Sequence, residues 1–189
     1  MDRRRLGHLL GRSVVIALVL LAGCASRPAV PDGPPLGLSA QQLERLLQTP
    51  DAQPRPEPIR AGGPNKAYGL NGRLYVPLAA DAPLREQGLA SWYGRAYHGQ
   101  PTASGERYDM FAMSAAHPTL PLPSYVRVRN PANQRSVVVR INDRGPFVDG
   151  RIIDLSYTAA LRLGVLNGVR EVEIERVFPE PSSLGLTPR

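Results

Sequence analysis

Several residue classes are scarce in this chain, and each scarcity removes a class of function. Cys24 is the only cysteine in 189 residues, so no intramolecular disulfide can form. Histidine occurs three times, as His8, His98 and His117, with no metal-ligand spacing around any of them. No metal site and no cofactor are therefore expected. No G-x-S-x-G elbow is present, which argues against a serine hydrolase of that type. No phosphate-binding loop appears either. The longest apolar run, Val14 to Ala22, holds nine residues and is too short to span a bilayer. Lys66 is the sole lysine, so nearly all the basic charge is arginine.

The N-terminus reads as an export address. Arg3, Arg4 and Arg5 precede the apolar run, which ends in Leu21-Ala22-Gly23-Cys24. Small residues just before a cysteine resemble a bacterial lipobox, which implies that Cys24 is lipidated and becomes the mature N-terminus. The other reading is an ordinary secretory leader with an incidental cysteine. The full chain carries a formal charge of +7. Removal of residues 1–23 takes away Arg3, Arg4, Arg5, Arg12 and Asp2, leaving +4. A basic exported chain without a nucleic-acid motif is not expected to meet nucleic acid. Arginine suits bidentate contact with carboxylates, or simply a solvated basic surface.

Residues 24–63 read as a Pro-rich tether, extended or disordered, because they offer little apolar surface to offset chain entropy. Within it, Ser39 and Gln42 form a capping-box pattern ahead of Leu43, Leu46 and Leu47. A helix of about three turns is marginal alone, so it is expected to be transient, with a partner-docking stripe as the alternative. Residues 64–87 form an N-terminal hairpin extension, since Asn71-Gly72 between apolar runs signals a two-residue turn. β-like runs follow at 89–93, 125–129, 136–142 and 171–178. Between the last two, Ser156 or Asp154 caps a helix packed by Ala159, Ala160, Leu161 and Leu163 and stopped by Gly164. Short strands with little helix predict a small β-barrel over 88–178, with a tail at 179–189.

The motifs lie within that barrel. They are Ala90-Ser91-Trp92-Tyr93-Gly94, His98-Gly99, Thr102-Ala103-Ser104-Gly105-Glu106, Ala115-Ala116-His117, Arg140-Ile141-Asn142-Asp143-Arg144-Gly145-Pro146 and Arg151-Ile152-Ile153-Asp154-Leu155-Ser156. Together they closely resemble the rare lipoprotein A family of peptidoglycan-cleaving lipoproteins. That resemblance implies a mainly β chain, a six-stranded double-psi β-barrel with short helices. It implies an endolytic lytic transglycosylase that cuts peptidoglycan glycan strands. With Ala25 rather than Asp after Cys24, it implies lipid anchoring in the outer membrane, facing the periplasm. Many family members continue into a septal glycan-binding domain; no such domain is expected here.

The same resemblance carries functional importance onto Glu106, His117 and Asp143. Asp143 is the expected acid/base, because a carboxyl at the end of an apolar strand can have its pKa raised by desolvation. Glu106 is expected to orient substrate, share the proton or stabilise oxocarbenium-like charge, and His117 to bond either carboxylate or the sugar. Each also has a structural reading: a turn-capping Asp, a solvated loop acid and a buried histidine. Asp154 is the rival acid, as in expansin-like barrels, unless it caps the helix. Trp92 and Tyr93 suit sugar stacking or core packing. Thr102, Ser104, Asn142, Arg144 and Arg151 complete the expected substrate contacts, with internal pairing to Asp149 and Asp154 open to both arginines. The alternatives to a transglycosylase are a non-catalytic, expansin-like wall-binding lipoprotein and a true glycoside hydrolase.

Anchoring gives the first test. Cys24→Ser is expected to abolish lipid labelling and to leave uncleaved or released protein. A variant that still incorporates palmitate and sediments with membranes would show that the lipobox reading is wrong.

Overall fold

The computed structural model describes residues 31–59 and 62–180. Cys24, the leader and residues 181–189 lie outside the described residues. Two α-helices and eight strands run in the order α1 (Ala40–Leu47), β1 (Tyr68–Leu70), β2 (Arg73–Tyr75), β3 (Arg85–Trp92), β4 (Ser114–Ala116), β5 (Ser124–Arg129), β6 (Ser136–Asp143), β7 (Arg151–Leu155), α2 (Tyr157–Leu163) and β8 (Arg170–Val177), with a short 3-10 helix at Gly63–Asn65 before β1. β1 and β2 form the expected hairpin, with Asn71 at φ 51° and Gly72 at φ 74° in its turn.

The remaining six strands close into a barrel in the order β3-β7-β4-β6-β5-β8. β3 with β7 and β4 with β6 are parallel pairs; the other neighbours are antiparallel. This is the six-stranded double-psi architecture that the motifs imply. Alternation along the strands fills the interior. Val137, Val139 and Ile141 of β6 point inward with Val126 and Val128 of β5, Ile153 and Leu155 of β7, and Val172 and Ile174 of β8. All are 2% exposed or less. Truncating one such aliphatic side chain to Ala costs roughly 2–5 kcal/mol.

β3 starts earlier than its apolar pattern suggests. Its polar first half pairs with β8, where Arg85 meets Glu175 and Gln87 meets Glu171. β4 and β7 are strands that periodicity does not announce. β4 has three residues, all buried, so no alternation exists to be read. β7 carries two adjacent isoleucines, and its register against β3 jumps from Leu89↔Arg151 to Ala90↔Ile153.

Residues 31–59 are not a free tether. They form a strap laid over the barrel. α1 has the full Ser39–Gln42 capping box, and Leu46 packs into the cluster around Tyr108, Met110 and Tyr157. Tertiary contact therefore holds a helix that is marginal by length. Asp32 accepts from the N–H groups of Gly94 and Ala96 at 3.1 and 3.2 Å. A Cβ on Gly94 would lie 2.2 Å from the Gly33 carbonyl oxygen, so only glycine allows this approach. Further along, the Ala52 N–H donates to Val138 O at 3.0 Å.

Ser156, not Asp154, caps α2: its Oγ accepts from the Ala159 N–H at 3.2 Å. Asp154 sits two residues earlier on β7, where its backbone is already paired in the sheet. The Ser156 hydroxyl also donates to Ala112 O at 2.6 Å. Ser156→Ala removes both bonds and is expected to lower stability by about 1–2 kcal/mol. A urea melt with an unchanged midpoint would show that the cap contributes nothing.

Candidate functional site

The site starts from a fault in the sheet. Against β4, β6 pairs as Ala115↔Ile141 and then Ala116↔Asp143. Asn142 is the extra residue of a β-bulge, a device that re-aims side chains at barrel rims. Without it, Asp143 would share the inward row of Val137, Val139 and Ile141. With it, Asp143 joins Ala116 on the outer face. Ala116 pairs on its other side with Asp154, which pairs in turn with Ser91. One row of the sheet thus reads Ser91, Asp154, Ala116, Asp143. The two acids stand two strand spacings apart, roughly 10 Å between backbones.

Asp143 is held through one oxygen. Oδ1 accepts from the N–H groups of Ala103 and Arg144, each at 2.8 Å. Oδ2 has no hydrogen-bond partner among the described residues. Burial pushes the Asp143 carboxyl above its ordinary value, against the opposing pull of those two N–H groups and Arg144. Asp154 is raised for the same reason, and its Oδ1 accepts from Ser91 Oγ. Arg151 donates to that same Ser91 Oγ at 3.0 Å, so Arg151 and Asp154 sit together.

Glu106 has the opposite character. Its Oε2 accepts from Arg140 at 2.7 Å and from Asn142 Nδ2 at 3.1 Å. Chiefly through Arg140, its pKa is lowered. The loop carrying it is closed by Thr102 N–H to Glu106 O at 2.7 Å, by Thr102 Oγ1 with Ser104 Oγ at 3.0 Å, and by Ser104 N–H to Asn142 O at 3.2 Å. Thr102 is buried and serves the turn. A groove of about 400 Å³ opens here, lined by Glu106, Arg140, Asn142, Ser114 and Tyr125 with strap residues such as Gln53. A groove of similar size on β3, β5 and β8 is lined by ion pairs, Arg85–Glu175 and Arg129–Glu173; neither raised acid lines either groove, although Asp143 directly follows Asn142 of the first.

Four sequence expectations change on contact with this geometry. His117 is 1% exposed and bonds neither Asp143 nor Glu106 through its ring. Its Nδ1 accepts from the Thr119 and Leu120 N–H groups, and Nε2 meets Glu86 at 3.3 Å. Burial lowers its pKa, so it works as a neutral brace. Its backbone N–H, however, donates to Asp143 O at 3.1 Å, which ties the brace to the acid. Arg144 is occupied within the fold. Its guanidinium donates to the carbonyls of Pro64, His117 and Leu120 and to Asn65 Oδ1. Trp92 packs edge-on to Tyr157 at 5.7 Å and donates from Nε1 to Leu166 O. Tyr93 stacks on Tyr108 at 4.0 Å, so that ring face is taken. Its buried hydroxyl, near Ser114, makes no hydrogen bond of ordinary geometry and lies in the field of both acids.

Sequence reasoning missed Glu57 and Tyr125. Arg140 donates to Glu57 from Nε and Nη2, each at 2.8 Å, and the Tyr125 hydroxyl also donates to Glu57. Nothing in a Pro-rich segment marks that glutamate as a partner of a barrel strand.

Comparison with known proteins agrees with this architecture. Residues 85–174 match the family model DPBB_1, described as "Lytic transglycolase". The barrel is therefore similar to the double-psi β-barrel of lytic transglycolases. An endolytic peptidoglycan transglycosylase RlpA of Vibrio cholerae is 47% identical over 167 residues, covering 85% of this chain and 61% of its own length. The protein of that name from Neisseria meningitidis serogroup A is 50% identical over 134 residues, 70% of this chain and 56% of its own. That of Pseudomonas aeruginosa strain UCBPP-PA14 is 42% identical over 180 residues, 87% and 52%. The chain spans between half and two thirds of the length of these relatives. It is RlpA-like.

Glu57 makes the charge network testable. Led by its hydrogen bond to Arg140, its pKa falls from an ordinary 4.5 to about 2. A carboxylate lowered in the fold adds stability that is complete above its unfolded value and fades as pH falls through its folded value. The melting difference between wild type and Glu57→Gln is therefore expected to be flat above pH 4.5 and to shrink between 4.5 and about 2. A difference independent of pH across that window would count against the ion pair.

Proposed function

We propose that this chain is an endolytic lytic transglycosylase of peptidoglycan, with Asp143 as acid and then base. The observation that carries the reading is the one-sided clamp on Asp143. Two backbone N–H groups fix Oδ1, and Oδ2 is left to hold the proton. Burial keeps the acid form populated above the usual aspartate range. The protonated Oδ2 would give its proton to the glycosidic oxygen as that bond breaks. The carboxylate so formed would take the proton of the muramyl C6 hydroxyl as that oxygen closes on C1. The products are a new hydroxyl end and a 1,6-anhydro end, with no water consumed and Asp143 protonated again.

Glu106 suits the complementary role. Held ionised by Arg140 and Asn142, it is a fixed anion near the positive charge that develops on the sugar. Asp154 is the rival donor, since burial raises it as well. Its bond to Ser91 and the nearby Arg151 tie it more closely into the sheet. For the address we propose a lipid on Cys24 and an outer-membrane position facing the periplasm. The Leu21-Ala22-Gly23-Cys24 pattern supports this.

Asp143→Asn keeps the size of the side chain and cannot cycle a proton. It is expected to reduce release of anhydromuropeptides from sacculi about a hundredfold or more. In the wild type, kcat/KM is expected to fall as rising pH ionises Asp143. Mass spectrometry of the digest decides among the readings: anhydro ends for transglycosylation, reducing ends for hydrolysis, no new ends for a binding protein. A folded Asp143→Asn of near wild-type rate excludes Asp143. Loss confined to a folded Asp154→Asn moves the role to Asp154.

A further inference from the structure

The strap stretch 49–59 crosses β6 without joining the sheet. Pro50, Pro54, Pro56 and Pro58 have no N–H to donate, so this stretch cannot pair as a seventh strand. One backbone bond, Ala52 N–H to Val138 O, ties it to β6. Charged side chains provide other ties, Asp51 to Arg162 at 2.5 Å and Glu57 to Arg140. Such contacts exchange with a competing ion more readily than a ladder of backbone bonds separates.

Glu57 is bound as an arginine binds a ligand carboxylate. Nε and Nη2 of Arg140 meet Oε1 and Oε2 in a fork-on-fork pair at 2.8 Å, and the Tyr125 hydroxyl adds a third donor. The third guanidinium nitrogen reaches Glu106 at 2.7 Å. One arginine thus joins a strap carboxylate to a carboxylate of the candidate site. Arg140 and Tyr125 line the same groove as Glu106 and Asn142, and the strap residues Pro50, Ala52 and Gln53 line it too.

We propose that Arg140 and Tyr125 form a carboxylate subsite of the glycan groove, that Glu57 fills it in the free protein, and that a carboxylate borne on a muramyl residue displaces Glu57 and lifts residues 49–59. The proposal rests on the glycan-cleaving reading above and names the part of the substrate that the groove would select. Glu57 is a tethered competitor, present at an effective concentration set by the strap, in the millimolar range for short tethers. Removing its charge leaves Arg140 open to substrate.

Calorimetry on the full chain tests this, in an Asp143→Asn background so that no glycan turns over. Three probes are compared: a chitooligosaccharide without carboxylates, a GlcNAc–MurNAc oligosaccharide with only lactyl carboxylates, and the same oligosaccharide bearing stem peptides. Adding Glu57→Gln is expected to tighten at least one muramyl probe about tenfold, by removal of the tethered competitor. Chitooligosaccharide binding is expected to stay unchanged. The muramyl probe that gains identifies the carboxylate as lactyl or peptide. Tyr125→Phe in the Glu57→Gln chain keeps the ring and is expected to reverse several-fold of that gain. No gain, an equal gain for chitooligosaccharide, or binding of no probe overturns the subsite. If the gain appears while wild-type digests of sacculi contain no anhydro ends, the transglycosylase reading fails and the subsite stands.

Discussion

Closure of a six-stranded barrel leaves no interior room for a ligand, and this constraint governs where chemistry can sit. Val126, Val139, Ile141, Ile153, Leu155 and Val172 pack the space between the strands and are fully buried. An acid on an inward row would be sealed in hydrocarbon, away from any polysaccharide. The polymer must lie across the outside, so the reacting carboxyl must be turned outward while still being partly desolvated. The bulge at Asn142 meets both requirements. It rotates Asp143 to the outer row, yet keeps it at the end of an apolar strand under the loop of Ala103.

The carboxylates of Asp143 and Glu106 differ because their hydrogen-bond partners differ. Asp143 receives two neutral N–H donors on one oxygen, and burial outweighs them. Glu106 receives a guanidinium, and Arg140 outweighs burial. A pair of acids whose environments drive their pKa values in opposite directions is the usual mark of divided roles, one proton-bearing and one anionic. Arg140 and Arg144 divide in a parallel way. Arg144 is spent on backbone carbonyls and holds the 62–66 stretch and the 117–122 loop behind Asp143. Arg140 is spent on carboxylates, one of which comes from outside the barrel.

Much of this was legible in the chain. The Asn71-Gly72 turn, the Ser39–Gln42 cap, the alternating rows of β5, β6 and β8, and the Ser156 cap offered beside Asp154 all follow local rules. β4 was hidden because three small buried residues carry no period. The bulge was hidden because it is a relation between two strands, and only the register of Ala116 against Asp143 exposes it. His117 was singled out by its motif, but its ring serves the loop behind the acid. The strap was misread for a definite physical reason. Proline and a lack of large apolar residues do predict poor burial, but they say nothing of ion pairs to a basic barrel face. Asp51, Glu57 and Asp32 hold the strap through charge and N–H contacts.

That manner of attachment has a consequence for how the two ends of the site relate. At one end Asp32 occupies the N–H groups of Gly94 and Ala96, in the turn that follows Tyr93. At the other, Glu57 occupies Arg140 beside Glu106. α1 lies between these anchors and packs on the cluster that includes Tyr108, whose ring stacks on Tyr93. The apolar middle supplies non-directional adhesion, while the charged ends are directional and exchangeable with other anions. A segment built this way can release an end without unfolding the barrel, because the barrel's own strands are paired all the way round. Stability therefore resides in the closed sheet and its filled interior. Adjustability resides in a covering whose end contacts are of the kind a carboxylated polymer can replace.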